Sequence, residues 1–372
     1  MKKKIAILGA SYLQKPLVLK AIEMNLETHV FAWDNDDAVC KEIADHFYPI
    51  SVLEKEEIYK VCEKIQIDGI TTIATDICIP TISYVAEKLK LVCNSYTTAL
   101  NSTNKAKMRA IFSEKKIKSP RYIMGDNNIV NNINLNYPVI VKPTDRSGSR
   151  GVSKLEDENK LKKAVENALS ESIEKKVIIE EFIEGSEVSV EAISWKGQHF
   201  ILAITDKVTT GPPHFVEIEH HQPSQLDNKT QNKIKTNVIN ALDALNIEFG
   251  ASHSEFKITS SGKVFIIEVG ARMGGDFIGS HLVELSTDFD FLKEVINVSL
   301  GKFSIPDNLS KNYCGIYFLS KSTSYLLPYF SKNNSFEVLK EISSNDLKEL
   351  KNSNDRSGYI MYKDSQKLYL NK

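Results

Sequence analysis

Two glutamates flank a tight turn. The segments SEFKIT and KVFIIEV surround Ser261 and Gly262, and a two-residue loop there pairs Ser260 with Lys263. That register sets Glu255 directly opposite Glu268. Like charges facing each other across strands destabilise a sheet, so the pair calls for a cation or a shared proton. A divalent ion such as Mg²⁺, completed by substrate phosphate oxygens, is one answer. A nearby Arg or Lys on each glutamate is another, and an odd loop length would break the pair. Beyond Glu268 the chain bends at Gly270 and presents the guanidinium of Arg272.

A second group of candidates lies upstream. In YPVIVKPTDRSGSRG a strand delivers Lys142, and a lysine is rarely buried without a partner. The following loop, Asp145 to Gly151, offers small residues and backbone N–H groups at Ser147, Gly148, Ser149 and Gly151, a setting that cradles phosphate. It lacks the G-K-[ST] of a Walker A loop, and a Gly/Ser-rich turn can also be only a turn. In VIIEEFIEGSEVSVE the strand breaks after Glu181, so main-chain groups between Glu180 and Ile183 can read an adenine edge, with Glu187 within reach of sugar hydroxyls. A plain hairpin carrying surface acids is the alternative. The run from His214 to His221 lacks metal-ligand spacing, and His220 and His221 read as exposed strand or loop positions. His253 shares a strand face with Glu255. No Ser/His/Asp or Cys/His arrangement stands out.

The elements that must position these groups alternate at first. KIAILGA, ETHVFAWD, DGITTIATD and KLVCNS (Lys90 to Ser95) read as strands separated by helices, which argues for a parallel sheet. The turn GASYLQKP has strand–Gly–helix context but no G-x-G-x-x-G, because Gln14 and Lys15 stand where glycines would admit a pyrophosphate. From Tyr137 to Val190 the pattern is strand, loop, helix, strand, strand, a small α+β lobe. With 372 residues the chain divides into two or three lobes. The expected units are 1–100, a parallel α/β domain; 101–190, a linker helix and small lobe; 191–300, a large lobe with the acidic hairpin; and 301–372, a C-terminal α+β extension.

Composition excludes several classes. A hydrophobic fraction of 42%, a charged fraction of 26% and a net charge of −1 give no bulk field toward nucleic acid or membrane. Five scattered cysteines form no CxxC and read as free thiols of a reducing cytoplasm. The opening MKKKIAILGA lacks a long apolar leader, and no apolar run approaches the ~18 residues that span a bilayer. A cytoplasmic location is expected.

Taken in order, these pieces resemble the ATP-grasp superfamily of carboxylate-amine ligases, over Lys3 to Leu300, including the parallel α/β lobe found in biotin carboxylase and carbamoyl phosphate synthetase. The resemblance implies an ATP-grasp fold with a pre-ATP-grasp domain and a small mobile ATP lid. It implies that Lys105 and Lys142 hold ATP phosphates and that the 145–151 loop closes over them. Glu180, with the main chain of Glu181 and Ile183, would meet adenine and Glu187 the ribose. Glu255 and Glu268 would bind Mg²⁺, with Mn²⁺ as a substitute, and Arg272 would face an acyl phosphate. Where the family often has Glu-x-Asn-x-Arg, with Asn as a third metal ligand, this chain has Gly270. The segment TTGPPHFVEIEHHQPSQL resembles the acceptor region of L-amino-acid ligases. It makes Glu217 a candidate for a substrate ammonium, against a solvent-facing strand position as the alternative. The expected activity is ATP-dependent amide formation between small-molecule carboxylate and amine substrates, one an amino acid, by a chain compatible with a homodimer. A glycinamide ribonucleotide synthetase-like ligase, or a nucleotide-binding oxidoreductase using the first lobe, are the alternatives.

Overall fold

The computed structural model describes residues 2–131, 133–146, 148, 150–344 and 346–370. Ser147 and Ser149 of the expected phosphate loop lie outside the described residues.

The first hundred residues build a four-stranded parallel sheet. Its strands β1 (Lys4–Leu8), β2 (Glu27–Phe31), β3 (His46–Tyr48) and β4 (Gly69–Thr71) lie in the order β3-β2-β1-β4. Continuous apolar runs such as Ile5 to Leu8 are fully buried, as a sheet covered on both faces requires. Helices α1 (Lys15–Glu23), α2 (Lys55–Ile65) and α3 (Ile79–Leu89) connect or flank the strands. The expected strand at Lys90 to Ser95 does not form. Lys90 caps α3 in the left-handed region, and Asn94 is tied to another lobe: it accepts from the N–H groups of Glu248 and Phe249 and donates to the Phe249 carbonyl. Those bonds replace sheet pairing.

The first turn also shows why it is no dinucleotide loop. The Gln14 amide donates to the Ile73 carbonyl, and its oxygen accepts from Ser11. A Cβ on Gly9 would stand 3.0 Å from the Gln14 side chain. The space a pyrophosphate needs is therefore filled by a buried glutamine.

After α4 (Tyr96–Thr103) and α5 (Lys105–Glu114), four strands form an antiparallel lobe. These are β5 (Tyr122–Gly125), β6 (Val139–Pro143), β7 (Ser153–Leu155) and β8 (Val177–Glu181), in the order β5-β8-β6-β7. The amphipathic helix α6 (Leu161–Glu171) packs Leu161, Ala164, Val165 and Ala168 on this sheet.

The EVSVEAIS segment was expected in the small lobe, yet it belongs elsewhere. As β9 (Ser186–Trp195) it joins β10 (Gln198–Thr209), β11 (Glu217–Gln222), β12 (Phe249–Ile258), β13 (Val264–Gly270), β14 (Tyr313–Leu319), β15 (Glu337–Ile342) and β16 (Gly358–Asp364) in one sheet, ordered β13-β12-β9-β10-β11-β14-β16-β15. The crossing from the small sheet comes at Gly185, where a Cβ would collide with the Ile258 carbonyl. Strands from beyond residue 301 thus continue the sheet that carries the acidic hairpin. A helix, α7 (Asn228–Ala244), buries Ile234, Val238, Ala241 and Leu242 in the core beneath that sheet.

Candidate active site

The hairpin β12–β13 sets Glu255 opposite Glu268 as expected, but by a different route. The turn is one residue longer than a two-residue loop: Thr259 N–H donates to the Lys263 carbonyl, and Ile258 pairs with Val264. A β-bulge then inserts Ile267, because Phe256 pairs with Ile266 while Glu255 pairs with Glu268. The two offsets cancel. The bulge has a partner, since the Ile267 carbonyl accepts from Arg109 Nη2 at 2.5 Å. Bulges re-aim side chains at sites where a sheet must serve something other than itself.

Each of the two facing glutamates has its own lysine. Lys105 Nζ lies 2.7 Å from Glu268 Oε1 and also donates to the Arg146 carbonyl. Lys207 Nζ lies 2.7 Å from Glu255 Oε1, 3.1 Å from Glu187 and 3.4 Å from Glu217. Three carboxylates around one buried ammonium raise the Lys207 pKa well above its ordinary value despite burial. Against the cost of burial, Lys207 and His253 hold Glu255 well below the usual carboxylate range.

His253 lies against Glu191 and 3.5 Å from Glu255. Burial opposes its charge, yet the neighbouring acids push its pKa up to about 9, so it is an imidazolium at neutral pH.

Beneath this layer sits a second ionic group. Glu180 is held between Lys142 at 2.6 Å and Arg109 at 2.8 Å, with all three side chains almost fully buried. The Glu180 carboxylate is therefore committed to two cations rather than turned outward. Its neighbours offer main chain: Phe182 N–H donates to the Pro138 carbonyl, Glu181 N–H donates to the Arg121 carbonyl, and Ile183 makes no hydrogen bond to another described residue. Glu187 pairs with Lys257 at 2.8 Å as well as with Lys207.

Arg272 is gripped by the N-terminal lobe. Its Nε and Nη2 donate to the two oxygens of Asp76 at 2.9 and 2.8 Å, a bidentate pair that fixes the guanidinium plane. Asp76 stands just past the end of β4, at the carboxyl ends of the parallel strands where α/β sheets gather ligands. The same contact accounts for Gly270. A Cβ there would lie 2.6 Å from Asp76 Oδ1 and 3.2 Å from Arg272 Cζ, so an acid from another lobe occupies the volume that a side chain at 270 would need.

These groups face a cavity of about 660 Å³ between the parallel sheet and the large sheet, whose walls include Lys207, Glu217, Glu255, Arg272, Gly148 and His253. Lys105 and Glu268 line an adjoining cavity of about 180 Å³, and Arg150 lines both. Lys142, Glu180 and Glu187 line neither cavity; Lys142 and Glu180 are paired with each other and with Arg109, and Glu187 with Lys207 and Lys257. Glu217 sits at the large cavity between Lys207 and Arg356, whose Nη2 is 3.5 Å from Glu217 Oε2 and 2.8 Å from Asp276.

His220 and His221 are buried rather than exposed, because β11 is an interior strand covered on both faces. His221 bonds Tyr362 and Glu219, while His220 lies 3.7 Å from Asp276. Cys78 also lines the large cavity, but burial pushes its thiol up to about 12, which removes it as a nucleophile.

Sequence reasoning missed Asp76, Arg109, Lys207, Asp276 and Arg356. Asp76 had one usable signal, an acid closing the strand-like run DGITTIATD. Lys207 had none beyond its place in an alternating strand.

Residues 135–280 match the ATP-grasp domain family. The alanine–anticapsin ligase of Bacillus subtilis is 28% identical over 303 residues, covering 71% of this chain and 64% of that protein. This chain therefore spans a little under two thirds of that relative's length. Among solved structures, an L-amino acid ligase from Bacillus licheniformis superposes with a TM-score of 0.83 at 22% identity, covering 98% of this chain and 94% of the other. N5-carboxyaminoimidazole synthetase from Staphylococcus aureus, solved with ADP, superposes with a TM-score of 0.78 at 17% identity, covering 98% and 95%. The matched segment holds Lys142, Glu180, Lys207, Glu255, Glu268 and Arg272, and this chain carries an ATP-grasp domain within an ATP-grasp fold.

Proposed function

We propose that the cleft is the active site of an ADP-forming ligase that joins the carboxylate of one small molecule, an amino acid among the two substrates, to the amine of another. The observation that carries this reading is the convergence of Lys105–Glu268, Lys207–Glu255 and Asp76–Arg272 on adjoining cavities between two lobes. The similarity to alanine–anticapsin ligase supports the choice of an amino acid.

Glu255 and Glu268 fit a hard divalent cation by donor type: they are opposed carboxylates, and the second oxygen of each has no partner among the described residues. When bound, Mg²⁺ or Mn²⁺ supplies charge neutralisation to triphosphate oxygens.

The chain's own residues do the rest. Lys105 and Lys142 bring positive charge to the phosphates, and main chain at Glu181 and Ile183 offers an adenine edge, with Glu187 near the ribose. A substrate carboxylate oxygen bonds to the γ-phosphorus as ADP leaves. The amine then attacks the acyl carbon, loses a proton, and phosphate departs. Arg272, pre-aimed by Asp76, faces the negative charge that develops on the acyl oxygen. Closure of the small lobe keeps water from the intermediate.

ATP as a substrate fits a cytoplasmic protein, and a homodimer is compatible with it. Among the described residues no helix is long and apolar enough to cross a membrane. The test is ADP release from Mg-ATP over a panel of amino acids, singly and in pairs. Stimulation by a defined pair is expected, and a flat panel overturns the amino-acid assignment.

A further inference from the structure

On the outer edge of the parallel sheet, away from the ionic groups of the cleft, three donors of a different kind come together. Glu27 and His29 are two residues apart on β2 and so share a face, while His46 is the register partner of His29 on β3. Glu27 Oε1 lies 3.0 Å from His29 Nε2 and 3.5 Å from His46 Nε2, and one ligand atom from each of the three residues lies within 4.8 Å of the others. Two donors bound to one tetrahedral ion at roughly 2.0–2.1 Å stand about 3.4 Å apart, close to the two separations from Glu27.

We propose that Glu27, His29 and His46 form a binding site for a borderline divalent transition-metal ion of the zinc type. Two imidazoles and one carboxylate are the donor set such ions take, and they are poor ligands for Mg²⁺. The surroundings are arranged for it. Tyr48 OH sits 3.1 Å from His29 Nδ1, an outer partner that holds the ring. The His29 and His46 rings stack with centroids 4.7 Å apart, and Phe31 stacks on Tyr48 in the next rung. His46, with its side chain 51% exposed, can turn its ring edge toward a shared ion while His29 stays fixed. Lys4 is the nearby opposing charge.

The site has a structural consequence. β3 is a three-residue edge strand, and the connection from β2 to β3 supplies Ala32, Trp33, Asn35, Asp37 and Ala38 to the wall of the large cavity. An ion shared by both strands clips the two ends of that connection, so occupancy orders one wall of the cleft without touching its catalytic groups. Binding displaces any proton held on the ligating nitrogens and leaves the imidazoles neutral.

The test uses the full chain without a histidine tag, in excess Mg²⁺ so that hard oxygen sites are filled. Co²⁺ is titrated as a spectroscopic stand-in and Zn²⁺ by calorimetry, on wild type, His46→Ala and Glu27→Gln. The expected result is one equivalent of Co²⁺ with visible ligand-field bands, a thermal midpoint raised by Zn²⁺, and affinity weakened about tenfold or more in each variant. Mg-ATP turnover measured in chelator stays at the wild-type level in His46→Ala. Failure of the wild type to bind, or binding that is unchanged in either variant, overturns the proposal. Both variants alter partly exposed side chains, and circular dichroism in chelator verifies that they fold.

Discussion

The cleft and the outer edge of the parallel sheet both set glutamates against basic partners, but the partners differ in kind. In the cleft Glu268, Glu255 and Glu180 face the ammonium or guanidinium groups of Lys105, Lys207, Lys142 and Arg109, and the His253 imidazole beside Glu191 and Glu255 is held charged. At the edge Glu27 faces two imidazoles. The acids around Lys105 and Lys207 raise their pKa values, whereas burial lowers that of Lys142, and these charged pairs exchange partners with other ions, such as a triphosphate and its dication. Imidazole has a lone pair to share, so the edge cluster can join a metal directly. The same acid thus takes opposite roles according to its neighbour.

Removing Lys207 breaks the cleft side of this comparison most severely. Lys207→Met leaves Glu187, Glu217 and Glu255 without their shared cation, and a loss of about 3–5 kcal/mol is expected in chemical denaturation. The sign of the pH effect follows from the same contacts. Glu255 and Glu180 have folded-state pKa values below their ordinary ones, so their contribution is present above the usual carboxylate value of about 4.3 and is lost as pH falls below it. Wild-type stability should drop through that acid window, and Lys207→Met should flatten the drop.

Glu268→Gln tests whether the acid pair serves chemistry or only packing. It keeps the shape and leaves Lys105 a neutral acceptor, and turnover is expected to fall about a hundredfold, equivalent to roughly 2.7 kcal/mol of barrier. The fold should stay intact, with a lowered thermal midpoint because the buried Lys105 ammonium loses its counter-charge. Wild-type turnover in that variant would sink the assignment of Glu268 to the metal.

Gly270→Ala sharpens the account of Asp76. The added methyl must displace a carboxylate 2.6 Å away, at a cost of about 1–3 kcal/mol. In an Asp76→Ala background the penalty should shrink, because the obstructing group is gone. Simple additivity in that double-mutant cycle would contradict the contact. The smallest effect belongs to the edge: His46→Ala in chelator should change stability by no more than about 0.5 kcal/mol.

Local pattern made part of this legible. The parallel strands of the first lobe, the amphipathic α6 and the opposition of Glu255 to Glu268 follow from apolar runs, helical spacing and turn chemistry. The hairpin also shows the limit of local pattern, since its register rests on a loop one residue longer than the turn chemistry implies and on a compensating bulge at Ile267 that nothing in the strand's residues marks. What stayed hidden depends on contacts far apart in the chain. Asp76 and Arg272 are 196 residues apart, and nothing local to either marks the pairing. Lys90 to Ser95 has strand-like residues, but the bonds of Asn94 to Glu248 and Phe249 override them. His220 and His221 looked exposed because β14 and its neighbours, which bury β11, come from a tail whose pairing no periodicity announced. Asn in the family's usual motif had suggested a vacancy at Gly270, and the structure fills that space from another lobe.

The claim at the centre of this account is that a substrate carboxylate is activated by phosphorylation in the cleft. Its most direct test is turnover with a heavy-oxygen-labelled carboxylate substrate, with the label followed by mass spectrometry. The account predicts one labelled oxygen in the released phosphate for each amide formed. Unlabelled phosphate alongside amide product would contradict it.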